Sequence, residues 1–372
     1  YGFAGNDYLI GNAGDDTLVG GGGNDSYTVD GFDAVVEGEN EGVDSVLSGV
    51  TYTLGANLEN LQLTGGDAIS GTGNALPNIL AGNAADNTLD GMGGADTVDY
   101  SLATSGIAVD LASALPQFND GQGYDTLVSI ESVIGSIYGD NLNGTAGVNI
   151  LDGNLGADTM AGGAGNDIYF VDHVDDIVSE LAGEGTDLVK SSVTYTLTAN
   201  VERLTLTGTK AISGTGNGSN NIVTGNAAAN KLNGLGGNDT LVGNGGNDTL
   251  NGGTGKDILF GGAGNDIFVF NSALDANTNL DTPKDYSVVA DTIRLENAIF
   301  TSLTATGALN AANFVSGTAA ADANDFIVYN NGTGALYYDS DGSGAGAAIQ
   351  FATVYSASTT PATLTAAEFV VI

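Results

Sequence analysis

Residues 234–269 read G-L-G-G-N-D-T-L-V, G-N-G-G-N-D-T-L-N, G-G-T-G-K-D-I-L-F and G-G-A-G-N-D-I-F-V. Each nine-residue unit has Gly first and fourth, Asp sixth and an apolar residue eighth. The frame extends back to residue 216, giving Asn221, Asn230, Asp239, Asp248, Asp257 and Asp266 at the sixth position. The eighth position there is Val223, Leu232, Leu241, Leu250, Leu259 and Phe268. The frame returns in residues 2–28 with Asp7, Asp16 and Asp25, and in residues 73–99 with Asn78, Asn87 and Asp96. It returns again in residues 135–170 with Asp140, Asn149, Asp158 and Asp167. A fixed period of this kind is the mark of a stacked repeat architecture.

Each part of the unit has a physical reading. Gly at the first and fourth positions permits φ > 0 and close approach of successive turns. The last three residues point out, in and out, which is a minimal strand with one buried side chain. Two units then make one coil with a short strand on each side. Stacked coils align like residues into apolar ladders inside and carboxylate rows at the turns. One coil cannot bury its apolar residues alone, so stability is cooperative along the stack. The carboxylate rows repel one another unless a cation joins them, and binding free energy then becomes folding free energy.

Composition agrees with a folded acidic protein. Of 372 residues, 45 are acidic and 7 basic, a net charge of −38, yet 42% are hydrophobic, a folded protein's share. The charge disfavours nucleic acid and anionic lipid as partners. It calls for counter-ions, and hard divalent cations with oxygen ligands are the natural ones. The absence of Cys rules out disulfide stapling. No stretch of about 18 apolar residues exists, so membrane insertion is not expected. No signal peptide is visible at Tyr1, and the repeat has already begun there, so Tyr1 reads as an interior cut.

The unit resembles the RTX, or hemolysin-type, calcium-binding repeat G-G-x-G-x-D-x-U-x. The resemblance implies an all-β fold, a right-handed parallel β-roll or β-solenoid of stacked nonapeptide coils. It also implies several Ca2+ ions, each held between Asp residues of one turn and the next on the same side. The ligands would be Asp7, Asp16, Asp25, Asp96, Asp140, Asp158, Asp167, Asp239, Asp248, Asp257 and Asp266. Backbone carbonyls of adjoining loops, such as Gly11, Gly20, Gly153, Gly162, Gly234, Gly243, Gly252 and Gly261, would complete them. On that geometry Asp7 pairs with Asp25, Asp140 with Asp158, Asp239 with Asp257 and Asp248 with Asp266. Asn78, Asn87, Asn149, Asn221 and Asn230 replace the Asp, so sites using them should be weaker or empty, although Asn can still bond within its turn.

A second periodicity overlies the first. V-T-Y-T-L-G-A-N-L-E-N-L-Q-L-T-G at 50–65 matches V-T-Y-T-L-T-A-N-V-E-R-L-T-L-T-G at 193–208, an offset of 143 residues. Leu58, Leu61 and Leu63 recur as Val201, Leu204 and Leu206. These spacers read as further parallel coils with longer turns and without Asp ladders. The expected organisation is roll block 1–34, spacer 35–72, degenerate roll block 73–99, spacer 100–134, roll block 135–172, spacer 173–215, roll block 216–270 and a β-rich C-terminal capping domain over 271–372. In that last part, 291–295 reads as a strand, and 325–329 with 335–339 reads as a hairpin around N-N-G-T-G. This segment resembles the C-terminal region that follows RTX repeats in serralysin-type proteins. The resemblance implies an uncleaved type I secretion signal that also caps the roll. D-S-D-G-S-G at 339–344 opens like an EF-hand loop, but its twelfth position is Gln350 and no helices flank it, so it reads as a turn.

Catalytic signatures are missing. The one histidine, His173, excludes H-E-x-x-H, and no G-x-S-x-G occurs. His173 reads as an exposed turn residue. The expectation is a non-enzymatic, secreted calcium-binding structural protein at the cell surface, in a layer, filament or adhesin, folding on extracellular Ca2+ after type I secretion. The alternative is a folding and secretion appendage of an exoenzyme (protease, lipase or epimerase) with its catalytic domain upstream of Tyr1. A third reading, a spacer surface that binds sugar or ice, rests on Thr51, Thr53 and Thr64, which strand propensity explains equally well. Expected partners are calcium ions, the type I secretion machinery and, through the open edge at Tyr1, other copies of the chain.

Overall fold

Thr240–Val242 carries the pattern that builds the whole structure: its middle residue Leu241 is fully buried while its neighbours reach towards solvent. Such triplets recur through the chain because position eight of each unit is the apolar one. Leu241 pairs in parallel register with Val223 on one side and Leu259 on the other, 18 residues away each way. Two nonapeptides thus make one coil, and the computed structural model shows an all-β solenoid of stacked parallel coils. It describes residues 1–119, 121–357 and 359–372. The chain forms two compact units, Tyr1–Gly185 and Thr186–Ile372.

In the first unit one row of parallel strands runs from Tyr8–Ile10 through Ser26–Val29, Ser45–Ser48, Asn60–Leu63, Ile79–Ala81, Thr97–Asp99, Ser132–Ile134 and Ile150–Asp152 to Ile168–Val171. Its inward residues Tyr27, Val46, Leu61, Leu80, Val98, Val133, Leu151 and Tyr169 lie in register and are buried. The spacer 35–72 therefore supplies coils to the same row as the repeat. Among the described residues the other strands form four separate parallel groups, beginning at Phe3–Ala4, Thr17–Val19, Tyr52–Thr53 and Ala108–Asp110. One departure from the expected parallel coils lies in 100–134. There Gln117–Asn119 turns back antiparallel on Gly123–Val128, because the excursion is too long for a tight turn.

In the second unit the corresponding row runs Leu188–Ser191, Arg203–Leu206, Ile222–Thr224, Thr240–Val242, Ile258–Phe260 and Thr282–Pro283. The opposite row continues from Ile267–Phe270 to Thr292–Leu295 and then Phe369–Val371, all parallel, before Gly307–Ala308 closes it antiparallel. The C-terminal residues thus extend the solenoid as well as leave it. Phe314–Ser316, Ile327–Asn330, Ala335–Tyr338 and Ile349–Thr353 form a separate four-stranded sheet that contains the hairpin around 330–334. Aromatic contacts Phe270–Phe351 and Phe300–Phe351 tie that sheet to the last coils.

The two glycines of the unit do different jobs. The fourth-position glycines take left-handed φ, for example 105° at Gly237 and 107° at Gly246. The first-position glycines of this block do not. A methyl group on Gly234 would instead lie 2.2 Å from Asp239 Oδ2 and 2.4 Å from the Gly252 carbonyl oxygen. Close approach, not φ > 0, is why the first position is glycine.

Candidate metal centre

The sixth-position acids form a ladder and, from Asp25 onward, are buried. Asp239 N–H donates to Asp257 Oδ1 at 2.8 Å, and Asp248 N–H to Asp266 Oδ1 at 2.8 Å. Asp7 stands on Asp25 at 2.7 Å and Asp140 on Asp158 at 2.8 Å in the same way. One carboxylate oxygen of each acid is thus engaged by the amide one coil earlier. The other is not: Oδ2 of Asp7, Asp25, Asp96, Asp158, Asp239, Asp248 and Asp266 is buried with no hydrogen-bond partner. Next to this oxygen sits the backbone carbonyl of the following coil, Gly252 beside Asp239, Gly261 beside Asp248 and Gly20 beside Asp7. The carbonyls of Gly153, Gly162, Gly234 and Gly243 stand likewise beside Asp140, Asn149, Asn221 and Asn230. A buried carboxylate oxygen facing a carbonyl repels it and needs a proton or cation between them.

The electrostatics agree. Burial pushes the carboxyls of Asp239 and Asp158 up to about 7 and that of Asp248 up to about 6. The backbone N–H that each accepts works the other way, and the next acid of the ladder adds to the rise. Burial likewise raises Asp96, Asp140 and Asp266.

The expectation that spacers lack acid ladders is overturned. Asp25 N–H donates to Asp44 Oδ1 at 2.7 Å, and Asp44 N–H to Glu59 Oε2 at 2.8 Å. Asp96 hands on to Glu131, Asp158 to Asp176, Asp187 to Glu202, Asp257 to Asp281 and Asp266 to Asp291. The spacer turns differ in length, so these acids fall outside the nonapeptide frame although they occupy the same rung. A sequence signal was present: Asp44, Glu59, Glu131, Asp176, Asp281 and Asp291 each immediately precede a strand.

The Asn positions solve the same problem differently. Asn221 Nδ2 donates to the carbonyls of Val201 and Glu202, at 3.2 and 3.4 Å, while its Oδ1 accepts from Asn217 N–H. Asn78 and Asn230 repeat this, on Leu58 and Glu59 and on Ile212. Asn87 and Asn149 donate to Ile69 and Glu131. The amide nitrogen bonds the preceding coil, and the oxygen beside the first-position glycine is covered by a loop N–H.

Other predicted ligands differ from the ladder. Asp140 has both oxygens satisfied, by Ile107 and Ser136. Asp16 is only half-buried, and its N–H reaches Asp33 at 3.0 Å. Gly11 packs against the Asp33 carboxylate. Asp167 accepts from Asn149 N–H at 2.7 Å. His173 is exposed, 3.8 Å from Asp175, in a turn. In 339–346 the Asp341 carboxylate accepts from Gly346 N–H and Gln350 belongs to the strand Ile349–Thr353, so the segment is a turn.

Residues 1–33, 72–102, 134–169, 215–250 and 242–272 match the RTX calcium-binding nonapeptide repeat. This chain carries RTX calcium-binding repeats. A local stretch is 41% identical over 86 residues to "Endo-1,3-1,4-beta-glycanase ExsH" of Rhizobium meliloti (strain 1021), covering 23% of this chain and 18% of that protein. "Endo-1,3-1,4-beta-glycanase EglC" of the same organism is 36% identical over 84 residues, 22% of this chain and 18% of that one. The RTX chain thus matches under a fifth of the length of these relatives. Among solved structures, extracellular lipase LipA from Serratia marcescens aligns with 88% of this chain and 45% of its own, at 15% identity and a TM-score of 0.26. The RTX repeats indicate calcium binding, and the residues fit the ion. All donors are oxygens, the carboxylate Oδ2 atoms are orphaned, and a first-position glycine leaves room beside each.

Proposed function

We propose that this chain is an extracellular scaffold that becomes a solenoid when calcium joins its carboxylate rungs, after export by a type I machinery. The observation that carries the reading is the row of buried carboxylate oxygens without a proton donor. Calcium is scarce in a cytosol and abundant outside, where modules bind at roughly 10⁻⁴–10⁻³ M. The ladder then acts as a compartment sensor. The proposed ligands are Asp7, Asp25, Asp96, Asp158, Asp239, Asp248, Asp257 and Asp266, with the glycine carbonyls beside them. Residues 271–372 would carry the export signal while extending the roll. A surface layer, filament or adhesin is the role that a long duplicated array suits best. No helix among the described residues is long and apolar enough to cross a membrane.

The names of the two glycanase relatives favour a second reading, in which the roll is the accessory part of an exoenzyme. Hydrolysis of a 1,3-1,4-β-glycan by the complete gene product, and none by residues 1–372, would select it. The primary test is circular dichroism during a calcium titration, with magnesium as control. A cooperative coil-to-β transition in the sub-millimolar to millimolar range, reversed by chelator, is expected. A full β spectrum in chelator would sink the proposal.

A further inference from the structure

Where the first repeat block passes into the spacer, three acids from two connections meet, Asp25 before the strand Ser26–Val29 and Glu37 and Asp44 at the two ends of the link from Ala34–Val36 to Ser45–Ser48. Asp25 belongs to the nonapeptide, but Glu37 and Asp44 do not, and all three are buried. They can each bring one carboxylate oxygen within 4.8 Å of the others. A fourth oxygen converges on the same place. The Tyr27 hydroxyl sits on a fully buried side chain and has no hydrogen-bond partner, an independent sign that something else belongs there. The point of convergence is Gly20. A methyl group on it would lie 2.0 Å from Asp25 Oδ2, 2.0 Å from the Tyr27 hydroxyl and 2.5 Å from Glu37 Oε1. Three acids buried together demand a positive charge far more strongly than the paired acids of the ladder.

We propose that Asp25, Glu37, Asp44 and the Tyr27 hydroxyl form a calcium site of a second type, built jointly by repeat and spacer. The donors are all hard oxygens, which excludes the softer transition metals as preferred occupants. Ligands about 2.4 Å from a shared calcium can stand as far apart as these do. Three carboxylates against the ladder's usual two should make this the tightest site of the chain, because ligand charge raises affinity. Much of the arrangement recurs within the same unit. Tyr169 donates to Glu180 Oε1, Gly162 N–H reaches the Tyr169 hydroxyl at 2.7 Å, and Asp167 Oδ2 faces Gly162. The proposal rests on the calcium reading of the ladder only for the identity of the ion.

The test is Glu37→Gln in the full chain, with bound calcium counted by equilibrium dialysis and stability measured by denaturant in calcium and in chelator. The expected result is one fewer tight ion, a lower unfolding midpoint in calcium and a higher midpoint in chelator, where one buried charge has gone. A Glu37 that served only as a hydrogen-bonding group would shift both midpoints in the same direction, and that result overturns the site. Tyr27→Phe, which keeps the ring in the core, should weaken the same ion about tenfold without lowering the midpoint in chelator. Unchanged calcium binding in both variants also overturns it. No calcium binding by the unmodified chain would instead overturn the ladder reading.

Discussion

Residues 216–233 and 234–269 belong to one unbroken repeat and share strand register, coil size and apolar ladder, yet they close their turns by opposite means. In the first stretch Asn221 and Asn230 donate to backbone carbonyls of the preceding coil. In the second, Asp239, Asp248 and Asp266 leave bare the oxygen beside the first-position glycine, where Asn221 and Asn230 hold an Oδ1 that accepts from Asn217 and Asn226 N–H. A loop N–H on that oxygen, together with a side-chain amide bonded to the preceding coil, separates a coil complete in itself from one that waits for an ion. Asparagine in this family pattern is thus less a lost site than a built-in substitute for the metal. It adds no charge to a chain already at −38.

That contrast breaks most visibly when calcium is withdrawn. Hydrogen exchange in chelator should speed up roughly a hundredfold at the amides of Asp239 and Asp248, equivalent to about 2.7 kcal/mol of lost protection. The amides of Asn217 and Asn226, bonded to Asn221 and Asn230, should change far less. Equal loss in both stretches would mean that the solenoid melts as one body and that the amide confers no independence.

Protons should replace part of the missing calcium. Asp239 and Asp158 titrate near 7 and Asp248 near 6 in the fold, against 3.8 for the unburied group. The fold binds more protons than the unfolded chain between those values, so the metal-free solenoid gains stability as pH falls from about 7 towards 4 and loses it as pH rises. Thermal melts in chelator at pH 5 and pH 7.5 check the sign, and a more stable protein at pH 7.5 would contradict it. With saturating calcium the slope should shrink or reverse, since protons then compete with the ion.

Converting one half into the other narrows the comparison to a single rung. Asp239→Asn should stabilise the chelated protein by about 1–3 kcal/mol, the usual penalty of an unsatisfied buried group. It should also remove a bound ion, and denaturation with and without calcium reads both effects. The smallest change lies in the backbone of the loop. Leu235 adopts left-handed φ of 74°, where the next unit has Asn244 at 72° with its side chain donating to the Gly225 carbonyl at 2.7 Å. Leu235→Asn should therefore gain roughly 1 kcal/mol, seen as a raised midpoint in calcium.

Period and residue type made the strands, the 18-residue register and the paired acids legible, since Gly, Asp and Leu recur together. The spacer acids escaped because period was the criterion. Asp44 lies 19 residues beyond Asp25, and Glu59 15 beyond Asp44, so neither is in frame, yet both complete rungs. An acid directly before a buried-centre strand is the more general signal, because the amide–carboxylate bond depends on where the strand starts and not on turn length. The partner atoms of Asn were not legible either, since the direction of a side-chain amide depends on which carbonyls the preceding coil presents.

The ladder also has a sense of direction. Every rung joins an amide to an acid further along the chain, never to one before it. An assembly edge advancing towards the N terminus therefore displays the Oδ1 atoms that await an amide, while one advancing towards the C terminus displays amides beside the Oδ2 atoms that await the next glycine carbonyl. Each acid thus has two unlike sides, a bonded oxygen towards one neighbour coil and a bare one towards the other, and pulsed exchange during calcium-triggered refolding reads which edge of the stack advances.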